Sequence, residues 1–263
     1  MEKAEGCSVA EKIRAKIKDA RLKDIQIFAY GITDSTNTRA REYAEGDWQG
    51  EPAVFIADGQ SRGRGRRGRA FDSSLGDGLY ISFLFRPEGK GLDGTALTVR
   101  AAVDVCHALS ECTGLSAEIK WVNDIFVGEK KLAGILCEGQ MRSEDGGLEY
   151  AVCGIGINLN KRQFPRELCD IATTVEDEVG IRPDRELLAA RLTERFFRGT
   201  AEPLIEEYRR LSLVPGRSIT VRRISGEVFS AVALDVTDRG GLLVMREDGT
   251  REELISAEVS VKI

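Results

Sequence analysis

AEIKWVNDIFVGEKKLAGILCEGQMRSEDGGLEYAVCGIGINLN, residues 117–160, is the stretch that decides the fold. It divides into AEIKW (117–121), IFVG (125–128), LAGILCEGQMR (132–142) and LEYAVCGIGINLN (148–160), with a turn near Gly128-Glu129. Each piece is short, apolar or β-branched, and bounded by turn residues. Strands separated only by turn-length gaps form hairpins rather than regular βαβ units. The stretch therefore predicts an α+β fold on a mixed sheet.

Working outward, residues 8–20 read as an amphipathic helix with Val9, Ile13 and Ile17 four apart. A strand is expected at Ile25–Tyr30, then a helix through Tyr43 capped by Asp34 or Ser35. PAVFIAD (52–58) and LYISFLF (79–85) are strands, and the Gly-rich stretch 60–78 between them is a loop. Thr95–Cys112, ended by Gly114, reads as a long helix, and further helices are expected at 184–198 and 201–211. After Pro215-Gly216 come short strands between Gly, Asp and Ser turns, whose spacing suits a small β-barrel. The expected division is residues 1–212, a helix-flanked sheet, and residues 213–263, the barrel.

Composition narrows the function. The 263 residues carry 38 Lys+Arg against 43 Asp+Glu, a net charge of −5, which argues against a surface built wholly for nucleic acid. No apolar run reaches the roughly 20 residues of a membrane span, and the charged N-terminal segment lacks a signal-peptide core, so a cytoplasmic protein is expected. Cys7, Cys106, Cys112, Cys137, Cys153 and Cys169 are dispersed, without a C-x-x-C pair or a His at metal spacing, and read as reduced structural thiols. His107 is the single histidine and falls mid-helix. A Ser-His-Asp or Cys-His mechanism would have to use it, and no nucleophile accompanies it.

The loudest chemistry is Gly63-Arg64-Gly65-Arg66-Arg67-Gly68-Arg69, which follows Arg62. Glycines let a backbone approach a ligand closely, and guanidinium forks match phosphate oxygens. Crowded cations repel one another, so such a loop is expected to be mobile until an anion arrives. Phosphate or nucleotide binding leads, with polyanion contact or a merely solvated loop as alternatives. Gly63-x-Gly65-x-x-Gly68 is not a dinucleotide fingerprint, because AFDSSLGDG after it cannot open a helix. No P-loop motif occurs either.

KWVND (120–124) and Lys130-Lys131-Leu132-Ala133-Gly134-Ile135 form the second candidate. Lys131 heads an apolar strand beside small residues, where a ligand could lie along the backbone with its negative end at the ammonium. A hairpin with a charged tip accounts for the same pattern. Gly154 and Gly156 alternate on a strand, leaving one face open for a ligand or marking a bulge.

Together these segments resemble the biotin–protein ligase family, that is, biotin–[acetyl-CoA-carboxylase] ligase. The resemblance lies in Asp34-Ser35-Thr36-Asn37, Gln60 with GRGRRGR, KWVND, KKLAGIL (130–136) and GIGINLN (154–160), in the family's order over roughly residues 25 to 263. Two positions depart from it: Val122 stands where proline is usual, and Phe71 where tryptophan is common. Valine is expected to keep that backbone extended, and Phe71 to close over a ring with less area. About 25 residues precede the first expected strand, too few for the winged helix-turn-helix some members carry, so binding to DNA is not expected.

The resemblance implies a class II synthetase-like catalytic domain that joins biotin and ATP into biotinyl-5′-adenylate. Biotin then passes to a lysine of a biotin carboxyl carrier protein. It implies Mg²⁺ held through the ATP phosphates rather than by a protein metal site, and a homodimer through a sheet edge. Ser35, Thr36, Asn37, Gln60, Arg64, Gly65, Arg66, Lys131, Gly134, Gly154 and Gly156 would bind biotin. Arg66, Arg69, Phe71, Lys120, Asn123, Asp124 and Asn158 would serve the nucleotide. Lys131 and Arg66 would be catalytic, neutralising the carboxylate and α-phosphate as they meet. A lipoate–protein ligase shares the architecture, and a nucleic-acid-binding module is the reading from another class.

Overall fold

The computed structural model describes residues 3–46, 48–87, 94–142, 147–198 and 204–261. The side chain of Cys7 and residues 201–203 of the expected helix lie outside the described residues.

Seven strands form the main sheet: β1 (Gln26–Thr33), β2 (Ala53–Gln60), β3 (Gly78–Phe85), β4 (Glu118–Lys120), β5 (Asp124–Val127), β6 (Lys130–Met141) and β7 (Leu148–Asn158). Their spatial order is β1-β2-β3-β7-β6-β5-β4. β4 through β7 pair antiparallel as consecutive hairpins, as expected. β1 and β2 differ: they are parallel, joined through helix α2 (Thr36–Glu45), so one βαβ crossover opens the fold. A helix between two strands is what permits parallel pairing, since a tight turn cannot return the chain in the same direction.

Strand alternation assigns the two faces. Val54, Ile56, Ile81, Phe83, Cys153, Ile155 and Ile157 belong to the main core. That core includes residues of α1 (Lys3–Lys16), α3 (Gly94–Thr113), α5 (Arg185–Arg198) and α6 (Leu204–Leu211). On the other face Phe55, Leu84, Tyr150 and Val152 pack with Ala40 of α2 and Trp48 in a smaller cluster. Further along that face Ser82, Gly154 and Gly156 replace large side chains, so the sheet offers a floor instead of a core. A short helix α4 (Val175–Val179) follows β7.

The C-terminal strands are β8 (Ser218–Arg222), β9 (Val228–Val236), β10 (Leu242–Arg246), β11 (Arg251–Leu254) and β12 (Glu258–Val261). They form an antiparallel sheet in the order β11-β10-β9-β8-β12. The expected barrel is therefore corrected to an open sheet. It is nevertheless curled: a four-residue link such as Leu254 to Glu258 reaches at most about 14 Å. Four inter-strand steps on a flat sheet would need about 19 Å. The edges are drawn together without a hydrogen-bonded ladder between them. Trp121 Nε1 donates to the Gly240 carbonyl at 2.9 Å, and Arg209 Nε to that of Val236 at 2.6 Å, fixing this sheet to the first one.

Among the described residues no helix is long and apolar enough to cross a membrane.

Candidate functional site

A cavity of about 270 Å³ opens above the glycine-bearing face of β6 and β7. Ser35, Thr36, Asn37, Gln60, Arg64, Gly65, Arg66, Arg69, Phe71, Lys120, Asn123, Asp124, Lys131, Gly134, Gly154 and Gly156 all line it. Segments far apart in the sequence thus meet at one place.

Its floor is a network of short polar side chains. The Gln60 Oε1 accepts from the Thr36 backbone N–H at 2.8 Å, and its Nε2 donates to Ser73 Oγ at 2.9 Å. Ser82 Oγ lies 2.7 Å from Thr36 Oγ1 and donates to Asn37 Oδ1 at 2.6 Å. Asn37 Nδ2 donates to the Leu136 carbonyl at 3.2 Å and to Glu138 Oε2 at 2.9 Å. Thr36, Asn37 and Ser82 are buried, and buried polar groups kept in partnership hold fixed orientations. Ser35 precedes α2 as its N-cap residue, which places these side chains at the helix start.

The glycines make room for protein groups. A Cβ on Gly154 would lie 2.0 Å from Asn37 Oδ1, and one on Gly156 would lie 2.5 Å from Phe71 Cε1. On Gly134 it would come 3.2 Å from Phe71 Cε2. Phe71 therefore packs close against the two strands, a wall of the cavity rather than a distant cover. The bulge alternative for Gly154 and Gly156 fails, because their ladder with β3 runs in unbroken register.

One end of the cavity is cationic. Arg64, Arg66, Arg67, Arg69, Lys120 and Lys131 line it, against the carboxylates Asp124 and Glu258. Lys131 Nζ donates to Asp124 Oδ1 at 2.6 Å, and Asn123 Nδ2 donates to the same oxygen at 3.0 Å. Arg66 Nη1 donates to Asn123 Oδ1 at 3.1 Å. Burial lowers the Arg66 pKa from its usual value, and the adjacent Arg67 charge adds to that. Lys120, set 4.9 Å over the Phe126 ring, is likewise lowered by burial; Asp124 opposes the shift and Lys131 adds to it. A half-buried cation whose charge is only partly offset is stabilised by an arriving anion, so this end is electrostatically prepared for one.

The arginine loop is less self-repelling than its sequence suggests. Arg64 pairs with Glu138 at 2.8 Å, and Glu258 of β12 takes Arg69 at 2.5 Å and Arg67 at 3.7 Å. Arg66 also reaches Ser256 Oγ at 3.5 Å. Like-charge crowding is offset by carboxylates from β6 and β12, and the loop carries backbone bonds of its own from Gly65 N to Arg69 O and from Phe71 N to Gly63 O.

One expectation is corrected, that at Val122. Asn158 is buried and is not among the residues lining the cavity: its Nδ2 donates to the Thr173 carbonyl at 3.1 Å and its Oδ1 accepts from Arg162 at 3.2 Å. Its amide satisfies buried backbone at the end of β7. Val122 does not prolong an extended strand, since residues 121–123 form a turn in which the Trp121–Val122 peptide is cis. Sequence reasoning also missed Ser82, Glu138, Ser256 and Glu258. Ser82 had a visible signal, a lone hydroxyl in the apolar run LYISFLF. The other three carried none, because their role depends on which elements fold against the loop.

His107 belongs to a separate surface network, with Nε2 2.5 Å from Glu207 Oε1. Among the described residues no cluster of His, Cys, Asp and Glu could hold a metal ion.

Comparison with known proteins identifies the family. Residues 29–158 match the biotin/lipoate A/B protein ligase family, and residues 215–262 match the biotin protein ligase C-terminal domain. The bifunctional ligase/repressor BirA of Bacillus subtilis is 31% identical over 241 residues, covering 88% of this chain and 73% of that protein. The biotin–[acetyl-CoA-carboxylase] ligase of Paracoccus denitrificans is 30% identical over 239 residues, covering 86% and 97%. The biotin protein ligase of Aquifex aeolicus, solved with biotin and ATP, superposes with a TM-score of 0.72 at 30% identity over 90% of this chain and 98% of that one.

Proposed function

The chain belongs to the biotin/lipoate A/B protein ligase family, and from that premise we propose how its residues perform the family's reaction. It is an ATP-dependent biotin–protein ligase that forms biotinyl-5′-AMP and transfers biotin to a carboxylase. In the first step a biotin carboxylate oxygen attacks the α-phosphorus of ATP, and the bond to the β-phosphate oxygen breaks to release pyrophosphate. In the second, an acceptor lysine amine attacks the acyl carbon and AMP departs.

The observation that carries the residue assignment is the joining of a neutral hydrogen-bonding floor to a cationic end within one cavity. The Ser35, Thr36, Asn37 and Gln60 floor suits the ureido ring of biotin, with Gly134, Gly154 and Gly156 keeping the strands low and Gly65 letting the loop backbone come near. The first step brings an anion towards a polyanion, so its main barrier is repulsion. Lys131 and Arg66 offset it at the carboxylate and α-phosphate, and Arg64 and Arg69 support the anionic groups. Lys120, Asn123 and Asp124 serve the nucleotide, and Asp124 orients both Lys131 and the incoming acceptor lysine. Phe71 sits where the biotin and adenine regions would adjoin. Mg²⁺ enters as part of the substrate, on the ATP phosphates.

The acceptor is the biotin carboxyl carrier protein or domain of the carboxylase. The division at residues 212 and 213 is retained in this reading, with β12 of the second unit helping to enclose the cavity. A homodimer through a sheet edge belongs to this reading, with β1 and β4 as the edge strands of the main sheet. DNA is not among the proposed partners, since the chain carries a net charge of −5. A cytoplasmic setting accords with reduced cysteines.

Isotope exchange between pyrophosphate and ATP tests the reading. Exchange that requires biotin is the expected result. Exchange with lipoate would move the assignment to lipoate ligation, and none with either in folded protein with Mg²⁺ would overturn adenylation altogether.

A further inference from the structure

Glu138 does not line the cavity, yet it holds two groups that do. On β6 it shares a face with Gly134 and Leu136, by strand alternation. Its Oε2 accepts from Asn37 Nδ2 at 2.9 Å and from Arg64 Nη1 at 3.3 Å, while Oε1 accepts from Arg64 Nη2 at 2.8 Å. One carboxylate is thus the common acceptor for a floor residue at the start of α2 and for the first arginine of the loop.

An ion pair with both side chains about a third exposed, at 39% and 31%, contributes little to stability by itself. Glu138 differs from an ordinary surface pair because its backbone is fixed in the central ladder opposite Val152. Asn37 is equally determined: Oδ1 takes the Ser82 hydroxyl, and Nδ2 is shared between the Leu136 carbonyl and Glu138. Displacing the carboxylate would release the loop arginine and leave a buried amide donor with one acceptor fewer.

Building on the ligase reading, we propose that Glu138 is a positioning residue that couples biotin-ring recognition at Asn37 to closure of the arginine loop at Arg64. A ligand that engages Asn37 then works on a group already tied to the loop, and the loop closes on a bound ligand with its first arginine placed.

Glu138→Gln is the informative change. The amide is nearly isosteric but has only one acceptor oxygen, and its NH₂ would face the donors Asn37 Nδ2 or Arg64. The expected result is a rise of about tenfold in biotin KM with kcat within about twofold, and loss of preformed biotinyl-adenylate about tenfold faster. Glu138→Asp, which keeps the charge, restores part of both. In an Arg64→Ala background Glu138→Gln adds nothing to the rate of adenylate loss, since the coupling partner is gone. Additive loss in the double variant, retention unchanged in Glu138→Gln, or a lower biotin KM (Glu138 then competing with the ligand for Arg64) would each overturn the proposal. A loss of thermal stability with the KM and release rate of the folded fraction unchanged would overturn it as well. Wild-type protein without biotin-dependent pyrophosphate exchange would instead overturn the ligase reading, and this inference with it.

Discussion

Lys131 Nζ and Asp124 Oδ1 lie 2.6 Å apart across the β5–β6 hairpin, with the ammonium held over the cationic end of the cavity. The pair is about one-third exposed at 34% and 27%, so it serves orientation more than stability. Lys131→Ala is expected to lower the rate of adenylate formation by about 10²–10³, the range for a lost preorganised donor. Asp124→Asn keeps an acceptor for Nζ and removes only the charge, so its loss should be about ten times smaller. Single-turnover adenylation measures both, and equal losses would mean that the Asp124 charge acts on the nucleotide as strongly as Lys131 does, not chiefly by orienting that lysine.

Gly156→Ala should act through Phe71. The added methyl would sit 2.5 Å from the ring edge, so the ring must leave its place over the strands or the strands must part. Weaker biotin binding by about tenfold or more is expected. Gly134→Ala meets the same ring at 3.2 Å and should cost less. Calorimetric titration with biotin orders the two, and the reverse order would show that Phe71 does not shape the biotin end.

Arg66 spans the cavity from the loop to Asn123 on one side and Ser256 on the other. Arg66→Gly removes both ties and a cation beside the reacting groups. Adenylate should then form more slowly and escape faster, labelling bystander lysines. Incubation with an unrelated lysine-rich protein detects this, and modification of the carrier alone would exclude a role in retention.

The hairpin order was legible from local signals, and the cavity's residue set partly from them and partly, at Ser35, Thr36, Asn37, Gln60, Phe71 and Asn123, only through the family resemblance. Strand-length apolar runs separated by turn residues announce β4 to β7, and Gly, Arg and Lys at motif spacing announce the groups that now line the cavity. What stayed hidden was who answers them. Glu138 and Glu258 neutralise the loop arginines only because β6 and β12 arrive beside it, and no periodicity in either strand encodes that meeting. Asn158 has a hidden partner too: its amide satisfies the buried Thr173 carbonyl, which its motif does not announce. The β1–β2 pair supplies the parallel member of the expected mixed sheet, and its position follows from α2, whose length returns the chain in the same direction. The open C-terminal sheet was read as a barrel because strand spacing reports curl but not which edges pair.

Thiol reactivity should follow burial. Burial pushes the Cys106 thiol up to about 12 and the Cys112 thiol to about 11, and it also raises Cys153, whose first cause is the hydrogen bond with Cys137. Cys169 is exposed. An aromatic disulfide reagent at pH 8 should therefore lose one fast equivalent when Cys169 is replaced by Ser. Cys106 and Cys153 should react only on unfolding, because the thiolate is the nucleophile and neither can form it in place. Fast labelling of Cys153 in native protein would mean that β7 opens.

Asp104 supplies the last test, on stability. It is 3% exposed on α3, and burial raises its carboxyl from 3.8 to about 6, with the Arg100, Arg195 and His107 charges only partly opposing. A carboxyl raised in the folded state favours folding in its protonated form. That contribution is complete below pH 3.8 and is lost as pH rises through about 6. Asp104→Asn keeps the shape without the charge. It should stabilise the protein by about 2–3 kcal/mol at pH 8, a figure already net of the opposing Arg100 charge. The gain should shrink towards zero by pH 4, where the wild-type carboxyl is itself neutral. Urea unfolding of both proteins at the two pH values isolates this group, since every other titration is common to them. A gain independent of pH, or a loss at pH 8, would mean that the carboxylate is held ionised by Arg100 after all.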